Sequence, residues 1–133
     1  RDRQKKRTRT MGMFTMKPID EYDVIELLNN GRFEGDLYGY ILSDGGDLFG
    51  YTLFKIEDNT TVMLDSKTPE GKFSGQYLDG IIRASIAYGE ARGAEYFSFN
   101  MAHKPFAEYK RIFFGDQPDR MKTTVIFSGC KHD

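Results

Sequence analysis

Three strand-like runs joined by two tight turns occupy the middle of the sequence and restrict the fold most strongly. The runs are DLYGYILS (36–43), LFGYTLFKIE (48–57) and TTVMLDS (60–66). DGGD (44–47) and DN (58–59) lie between them, and Asp-Gly or Gly-Gly in such a position is a strong hairpin signal. The second run carries apolar residues on both of its alternating faces. We therefore predict an antiparallel meander whose middle strand is central and covered on both sides.

Helices are predicted on both sides of this meander. GMFTMKPI (12–19) is typical of a first strand, and Asp20 is the expected N-cap of a helix that ends at Gly31, with Val24, Leu27 and Leu28 on one face. After a loop, a longer helix is predicted from about Gln76, and Gly93 is its expected stop. Its apolar stripe has spacings of three and four residues and comprises Leu78, Ile81, Ile82, Ser85, Ile86 and Gly89.

The last third of the chain alternates strand and helix again. AEYFSFN (94–100) alternates as a strand does, PFAEYKRIFF (105–114) places Pro105 in the first turn of a helix, and MKTTVIFSG (121–129) is a predicted closing strand. The predicted order is β-α-β-β-β-α-β-α-β, an α/β (α+β) fold with a mixed, mostly antiparallel sheet flanked by helices. The length of 133 residues fits one domain, which we place at 11–133.

The amino-acid composition limits the cellular compartments and the kinds of site that we expect for this chain. No apolar run approaches the roughly 18 residues that a membrane helix needs, and no secretory segment is visible. The single Cys130 excludes an internal disulfide framework and a cysteine metal cluster, so we expect a cytoplasmic protein. His103 and His132 are the only histidines, and no neighbouring spacing recruits them to a metal; we interpret them as loop and tail residues.

The charge is distributed unevenly along the chain. RDRQKKRTRT (1–10) has six Lys or Arg and one Asp, hence +5, and a net charge of −1 leaves about −6 for the remainder. A basic arm can bind nucleic acid by releasing counterions, but an acidic body argues against nucleic-acid binding as the main role. We interpret 1–10 as a disordered tail or an upstream remnant, since Met11 and Met13 both resemble natural starts. The strand aromatics are expected in the core rather than as a base-stacking platform.

The loop between the third run and the long helix is the first candidate for a binding site. A helix N-terminus has unsatisfied N–H groups and a partial positive charge, which together attract anions. Gly71 and Gly75 allow close approach of the backbone, and Lys72 adds charge. Glycine-rich loops before helices are mostly simple turns, so the loop alone leaves both readings open.

From Gly45 to Phe114 the sequence resembles the GCN5-related N-acetyltransferase (GNAT) family. GYTLFKIEDN resembles its third strand, and VMLDSKTP resembles its fourth strand with the proline that follows. GIIRASIAYGEARGAEYFSFN resembles its main helix and fifth strand, and YKRIFF resembles the Y-x-x-x-G-F of its fourth helix. The resemblance covers about half of the chain closely and implies an acyl-CoA N-acyltransferase-like fold.

The same resemblance implies a reaction and a set of site residues. The donor is acetyl-coenzyme A (acetyl-CoA), and a small-molecule or peptide amine attacks its thioester directly while a strand N–H holds the oxyanion. Tyr109 would protonate the leaving thiolate, or else only pack; Asp65 would deprotonate the amine, or else be a solvated strand-end residue. The implied donor-binding residues are those of the fourth strand and the loop: Leu64, Asp65, Ser66, Gly71, Lys72, Phe73, Ser74, Gly75 and Gln76.

Three departures from the family pattern support an alternative. The loop has no adjacent G-x-G, Phe113 stands where a glycine is usual, and no Asn lies seven residues before Tyr109. In addition, only one helix is predicted between the first two strands, where the family usually has two. The alternative is a non-catalytic GNAT-like domain that binds a ligand or a protein partner. The acceptor side is then either open or completed by a second subunit in a homodimer.

Overall fold

In the computed structural model, which describes residues 14–128, strands and helices follow one another in nearly the predicted order. The elements are β1 (Phe14–Pro18), α1 (Tyr22–Asn29), β2 (Leu37–Asp44), β3 (Asp47–Glu57), β4 (Thr60–Lys67), α2 (Ser74–Ala91), β5 (Tyr96–Phe99), α3 (Lys104–Phe114), β6 (Met121–Lys122) and α4 (Thr123–Ser128). The interpretations of 1–10, Met11, Met13, Cys130 and His132 fall outside the described residues.

A six-stranded sheet in the order β1-β2-β3-β4-β5-β6 organises the fold. Four of its neighbouring pairs are antiparallel, whereas β4 and β5 are parallel. A parallel pair needs a crossover connection, and α2 supplies it. The predicted mixed, mostly antiparallel sheet flanked by helices is therefore confirmed.

The two predicted hairpin turns are present, and their backbone explains the residues used. Gly45 and Gly46 both have positive φ, of 61° and 97°, and so do Asp58 and Asn59, at 53° and 62°. Two successive positive φ values are the condition for the tight hairpin turn whose twist matches that of the strands it joins.

The core lies on both faces of the sheet, and β3 contributes to each. Leu53 and Phe54, adjacent in sequence, are both fully buried. Phe54 belongs to the larger cluster, covered by α2 and α3, which includes Met63, Ile82, Ile86, Phe97, Phe99 and Phe106. Leu53 belongs to a smaller cluster under α1 with Ile25, Leu37 and Leu64. Phe97 and Phe99 are thus core residues, as predicted, whereas the strand aromatic Phe49 is 38% exposed and departs from that prediction.

Helix α2 is seated on the sheet by a close contact and ended by a glycine. A Cβ on Gly89 would collide with the Thr61 side chain of β4, so glycine permits this approach. At the end of the helix, the amide of Gly93 donates to Glu90 O (3.0 Å) and that of Ala94 donates to Gly89 O (2.9 Å). With φ of 100° at Gly93, this is a Schellman motif, which confirms the predicted stop.

The predicted start of α1 is wrong, and its predicted buried face is wrong in part, since Leu28 packs against the smaller core cluster but Leu27 does not. The N-cap residue is Glu21 rather than Asp20, and its side chain makes no capping hydrogen bond. The amide of Ile19 still pairs with Gly39 O (2.8 Å), so the extended chain continues past β1 and delays the helix. The buried residues of α1 are Ile25 and Asn29, whereas the predicted Leu27 is 77% exposed.

The predicted closing strand over 121–129 is also wrong for most of its length. Only Met121 and Lys122 pair with β5, and the chain then forms α4. Two bonds draw it onto α2: Thr123 Oγ1 donates to Glu90 (3.0 Å), and Arg83 Nη1 donates to Ile126 O (2.9 Å). These tertiary contacts override the β-propensity of TTVIF.

Candidate functional site

A groove of about 660 Å³ lies between the N-terminal end of α2 and the α3 helix. Ser74, Gly75, Gln76 and Asp79 of α2 line one side, and Lys104, Glu108 and Tyr109 of α3 line the other, with Lys72 and Thr68 from the preceding loop. The volume is in the range of small-molecule and cofactor sites. The parts of the chain from which the sequence predicted a binding loop and a catalytic tyrosine therefore share one groove.

The first backbone N–H groups of α2 find only some of their hydrogen-bond acceptors within the chain. Phe73 is the N-cap residue and makes no side-chain capping bond, and no acidic residue stands in the first turn. The Ser74 amide donates to Gly71 O (3.1 Å), and those of Gln76 and Tyr77 both donate to Phe73 O (3.0 and 3.1 Å). Within residues 14–128 the amide of Gly75 has no hydrogen-bond partner. One exposed amide, the helix dipole and the charge of Lys72 thus remain for an anion.

The predicted donor-binding residues divide into two groups. Lys72, Ser74, Gly75 and Gln76 line the groove, together with Tyr109. Gly71 and Phe73 form the turn that precedes α2 and are not among the lining residues. Leu64, Asp65 and Ser66 lie near the end of β4, in the part of that strand that has separated from β5.

Tyr109 is held by both packing and a polar contact. It is 4% exposed, and its ring packs against Phe99 and Phe113, with centroids 5.7 and 4.6 Å away. Its hydroxyl donates to Asp79 Oδ1 at 2.5 Å. Asp79 also accepts from Arg83 Nε at 3.1 and 3.2 Å, an i,i+4 pair on α2. Sequence reasoning missed Asp79, although its spacing to Arg83 was a usable signal.

Strand β4 carries a bulge immediately after its last pair with β5. Leu53 of β3 pairs with Asp65 and Phe54 pairs with Met63, which leaves Leu64 as the extra residue. The β4–β5 pairing ends at Met63 and Phe99. Beyond it, Asn100 spans the gap: its amide donates to Met63 O (2.8 Å) and its side chain donates to Leu64 O (3.0 Å).

Asp65 lies in a buried polar cluster, and the reading of it as a solvated strand-end residue is wrong. Its side chain is 8% exposed. Oδ2 accepts from Arg32 Nη2 (2.6 Å) and from the Tyr51 hydroxyl (2.9 Å). The hydrogen bond to Asp65 raises the pKa of Arg32; burial, and then Asp65, raises the pKa of Tyr51. Both partners therefore stay protonated. Because both of them bond to Oδ2, the other carboxylate oxygen, Oδ1, takes part in neither hydrogen bond.

His103 completes this cluster from the loop before α3. Its Nδ1 lies 3.5 Å from Asp65 Oδ1, and its Nε2 lies 2.8 Å from Ser66 Oγ. Burial lowers the pKa of His103 below its ordinary value of 6.5; the charge of Asp65 opposes this effect and that of Arg32 adds to it. The interpretation as a plain loop histidine missed this contact, because nothing in the sequence links two residues 37 positions apart.

Neither a metal-binding cluster nor a membrane-spanning helix is present among residues 14–128. Among these residues, no three His, Cys, Asp or Glu side chains are placed to hold a metal ion. Likewise, none of the helices between residues 14 and 128 is both long and apolar enough to cross a membrane.

The solved structures that resemble this chain include two acetyltransferases that contain coenzyme A. An acetyltransferase from Bacillus subtilis in complex with coenzyme A superposes with a TM-score of 0.54 at 14% identity, over 82% of this chain and 95% of that one. A putative N-acetyltransferase from E. coli bound to coenzyme A gives 0.53 at 10% identity, over 82% and 97%. A mutant cAMP-binding acyltransferase from Mycobacterium smegmatis gives 0.49 at 14% identity, over 72% of this chain but only 39% of that one.

These likenesses define the class of fold. The chain has a GNAT-like acetyltransferase fold, as the sequence resemblance implied. No model of a protein family matches the sequence. No curated protein matches it either.

Proposed function

We propose that the chain is an acyltransferase that moves an acetyl group from acetyl-CoA to the amine of a small molecule or peptide. The observation that carries the proposal is the α2 N-terminus, which has no side-chain cap and opens on the groove that also contains Tyr109. The GNAT-like fold supports the proposal. Two solved structures of similar fold contain bound coenzyme A, which supports it as well.

The residues around the α2 N-terminus fit a pyrophosphate. The amide of Gly75 is available, and a Cβ added there would meet nothing within 4 Å, so the backbone is accessible. Lys72 and Lys104 contribute positive charge to the lining, whereas the carboxylates of Asp79 and Glu108 stand further along the two helices. An anion at this end of the groove would face one amide, the helix dipole and two lysines.

The end of β4 is the proposed binding site for the pantetheine arm of the donor. Leu64, Asp65 and Ser66 follow the last residue that pairs with β5, so the edge of this segment does not face a partner strand. A bulge leaves a residue outside the regular ladder, which suits a backbone group that must bond a ligand instead. The carbonyl of Leu64 is already bonded to Asn100, so the arm would pair with the remaining backbone groups of this segment.

The bound donor supplies an activated acyl carbon, and the proton transfers fall to the protein. Asp65 is the proposed acceptor of the amine proton, through Oδ1, the oxygen that does not bond to Arg32 or Tyr51 and that lies 3.5 Å from His103 Nδ1. Tyr109 is the proposed proton donor to the departing thiolate. Its hydroxyl now donates to Asp79, so it must rotate away from that carboxylate to act.

A specific observation also favours the non-catalytic alternative. Asn100 and His103 both bond to residues of β4 in the region where it leaves β5, which is the region that the first candidate function assigns to the pantetheine arm. The single helix α1 between β1 and β2 also leaves the acceptor side without a second covering helix. In this second candidate function the groove binds a ligand or partner without turnover.

Calorimetry and an activity assay separate the two candidates. Under the first, acetyl-CoA binds with measurable heat, raises the melting temperature and releases free thiol in the presence of an amine acceptor. Binding of coenzyme A with no thiol release over a broad panel of amines would favour the second. Absence of heat and of a thermal shift at high ligand concentration contradicts acetyl-CoA as the donor. Sedimentation at several concentrations tests the homodimer that would complete the acceptor side.

A further inference from the structure

Ser66, His103 and Asp65 lie in line at the end of β4. The Ser66 hydroxyl is 2.8 Å from His103 Nε2, and His103 Nδ1 is 3.5 Å from Asp65 Oδ1. A hydroxyl next to a base that a third group orients is the arrangement of an activated nucleophile. We propose that these residues act as nucleophile, base and orienting carboxylate, and that Ser66 accepts an acyl group from an activated ester or thioester.

Hydrogen-bonding chemistry gives the proposed relay its direction. An ionised carboxylate only accepts hydrogen bonds, so in the proposed relay Nδ1, the nitrogen that faces Asp65, carries the imidazole proton. Nε2 then has a free lone pair and accepts from the Ser66 hydroxyl. The 3.5 Å separation is longer than a typical hydrogen bond, as is common before a substrate binds. Asp65 itself is fixed through its other oxygen by Arg32 and Tyr51.

The surroundings keep His103 in the form that a base requires. Its side chain is 19% exposed, and its ring packs edge-on against Phe106 with centroids 4.7 Å apart. Burial and the charge of Arg32 lower its pKa, against the opposing effects of Asp65 and the Ser66 backbone. The imidazole is therefore neutral near pH 7 and able to take a proton.

The relay is close in sequence to the proposed donor groove. Neither Ser66 nor His103 lines that groove, but Thr68, two residues after Ser66, and Lys104, directly after His103, both do. Ser66 is also in the β4 segment proposed for the pantetheine arm. Acylation by a thioester therefore rests on the proposed function, whereas acylation by a simple activated ester depends only on the relay.

The step conserves atoms and charge. Ser66 Oγ forms a bond to the acyl carbon while its proton passes to His103 Nε2. The bond from that carbon to the leaving sulfur or oxygen breaks, and the leaving group takes the proton from Nε2. Water or an amine then attacks the Ser66 ester, gives its proton to Nε2, and the proton returns to Oγ as the serine departs. In the direct transfer proposed above, the acyl group never bonds to the protein.

The test uses the full chain and two probes that need no coenzyme. With p-nitrophenyl acetate we expect release of nitrophenolate; with an alkyl fluorophosphonate we expect a stable adduct that peptide mass mapping places on Ser66. Ser66→Ala should abolish both signals, and His103→Gln should slow them on the order of 100-fold or more. Ser98→Ala, a matched change on the neighbouring β5, should leave both unchanged.

The outcomes separate this inference from the proposed function. Modification of Ser66 without any binding of acetyl-CoA supports the relay and removes the proposed donor. Transfer from acetyl-CoA to an amine at an equal rate in Ser66→Ala, with no adduct on Ser66 in the native chain, overturns the relay and leaves direct transfer standing. If Ser66→Ala does not fold, peptide mass mapping of the native chain still tests the relay. An adduct found only on lysines or on other serines overturns the relay.

Discussion

A carboxylate introduced at Gly75 should stabilise the fold and weaken coenzyme binding in the same variant. Gly75 is the second residue of α2, and its φ is not in the left-handed region. An added Cβ meets no atom within 4 Å, so Gly75→Glu should be accepted without strain. Because this turn has no acidic residue, the new charge is the first to interact with the helix dipole there.

The stabilisation can be estimated from two terms. Replacing glycine in a helix gains about 0.5 kcal/mol, and an acid in the first turn gains roughly 0.3–1 kcal/mol. The sum, about 0.8–1.5 kcal/mol, corresponds to a rise in melting temperature of roughly 3–8 °C for a domain of this size.

The effect on binding has the opposite sign. A carboxylate about 5 Å from a bound pyrophosphate costs roughly 1–3 kcal/mol per pair of charges at the effective dielectric constants of a protein surface. At about 1.4 kcal/mol per factor of ten, the affinity for coenzyme A should fall roughly 5- to 100-fold.

Thermal unfolding and calorimetric titration measure the two effects separately. The matched control is Gly75→Gln, which has nearly the same shape and no charge, and it should lose little affinity. Added salt should reduce the difference between the Glu and Gln variants, since mobile ions screen exposed charges. Equal affinity of the two variants at low salt would refute the idea that the phosphates lie at the start of α2.

Three other predictions follow from particular contacts. Tyr109→Phe should slow thiol release on the order of 100-fold while coenzyme A affinity changes little; equal turnover in steady-state assays would leave Tyr109 only a packing role. Gly89→Ala, whose Cβ collides with Thr61, should cost about 1–3 kcal/mol in urea unfolding. Gly80→Ala, which meets only the flexible end of Met16, should cost less. The folded state holds the pKa of His103 below 6.5, so the unfolded chain binds more protons near that pH. Stability should therefore fall as the pH drops through 6.5, and this dependence should disappear in His103→Gln.

Much of the architecture was predictable because short-range patterns specify it. The DGGD and DN turns, the apolar stripe of α2 and the glycine that ends it all depend on residues close together in sequence. The order of these elements, with the resemblance in GYTLFKIEDN and GIIRASIAYGEARGAEYFSFN, was sufficient to predict the GNAT-like fold.

The errors in the predicted fold arose where contacts between residues far apart in sequence determine the secondary structure. TTVIF has the composition of a strand, but Thr123 and Ile126 bond to side chains of α2 and the segment becomes α4. The start of α1 was misplaced because Ile19 continues the pairing with β2, which a local capping pattern does not reveal.

The candidate site was predicted only in part, because some of its residues have a local sequence signature and others are brought together by the fold. The segment from Lys72 to Gln76 has a local signature, and all of it except Phe73 lines the groove together with Tyr109. The contacts of Asp65 with Arg32, Tyr51 and His103 join four segments of the chain. No spacing in the sequence encodes such a cluster, because the path of the sheet brings its members together.

The central claim is that the start of α2, with the amide of Gly75 and the charge of Lys72, holds the phosphates of an acyl-coenzyme A donor. The most direct measurement is a titration of the ¹⁵N-labelled protein with coenzyme A, followed by amide chemical shifts, with adenosine as the phosphate-free comparison. The claim predicts that the largest shifts occur at Lys72 to Gln76 and that adenosine does not reproduce them. Shifts that avoid this segment, or that adenosine reproduces there in full, would contradict it.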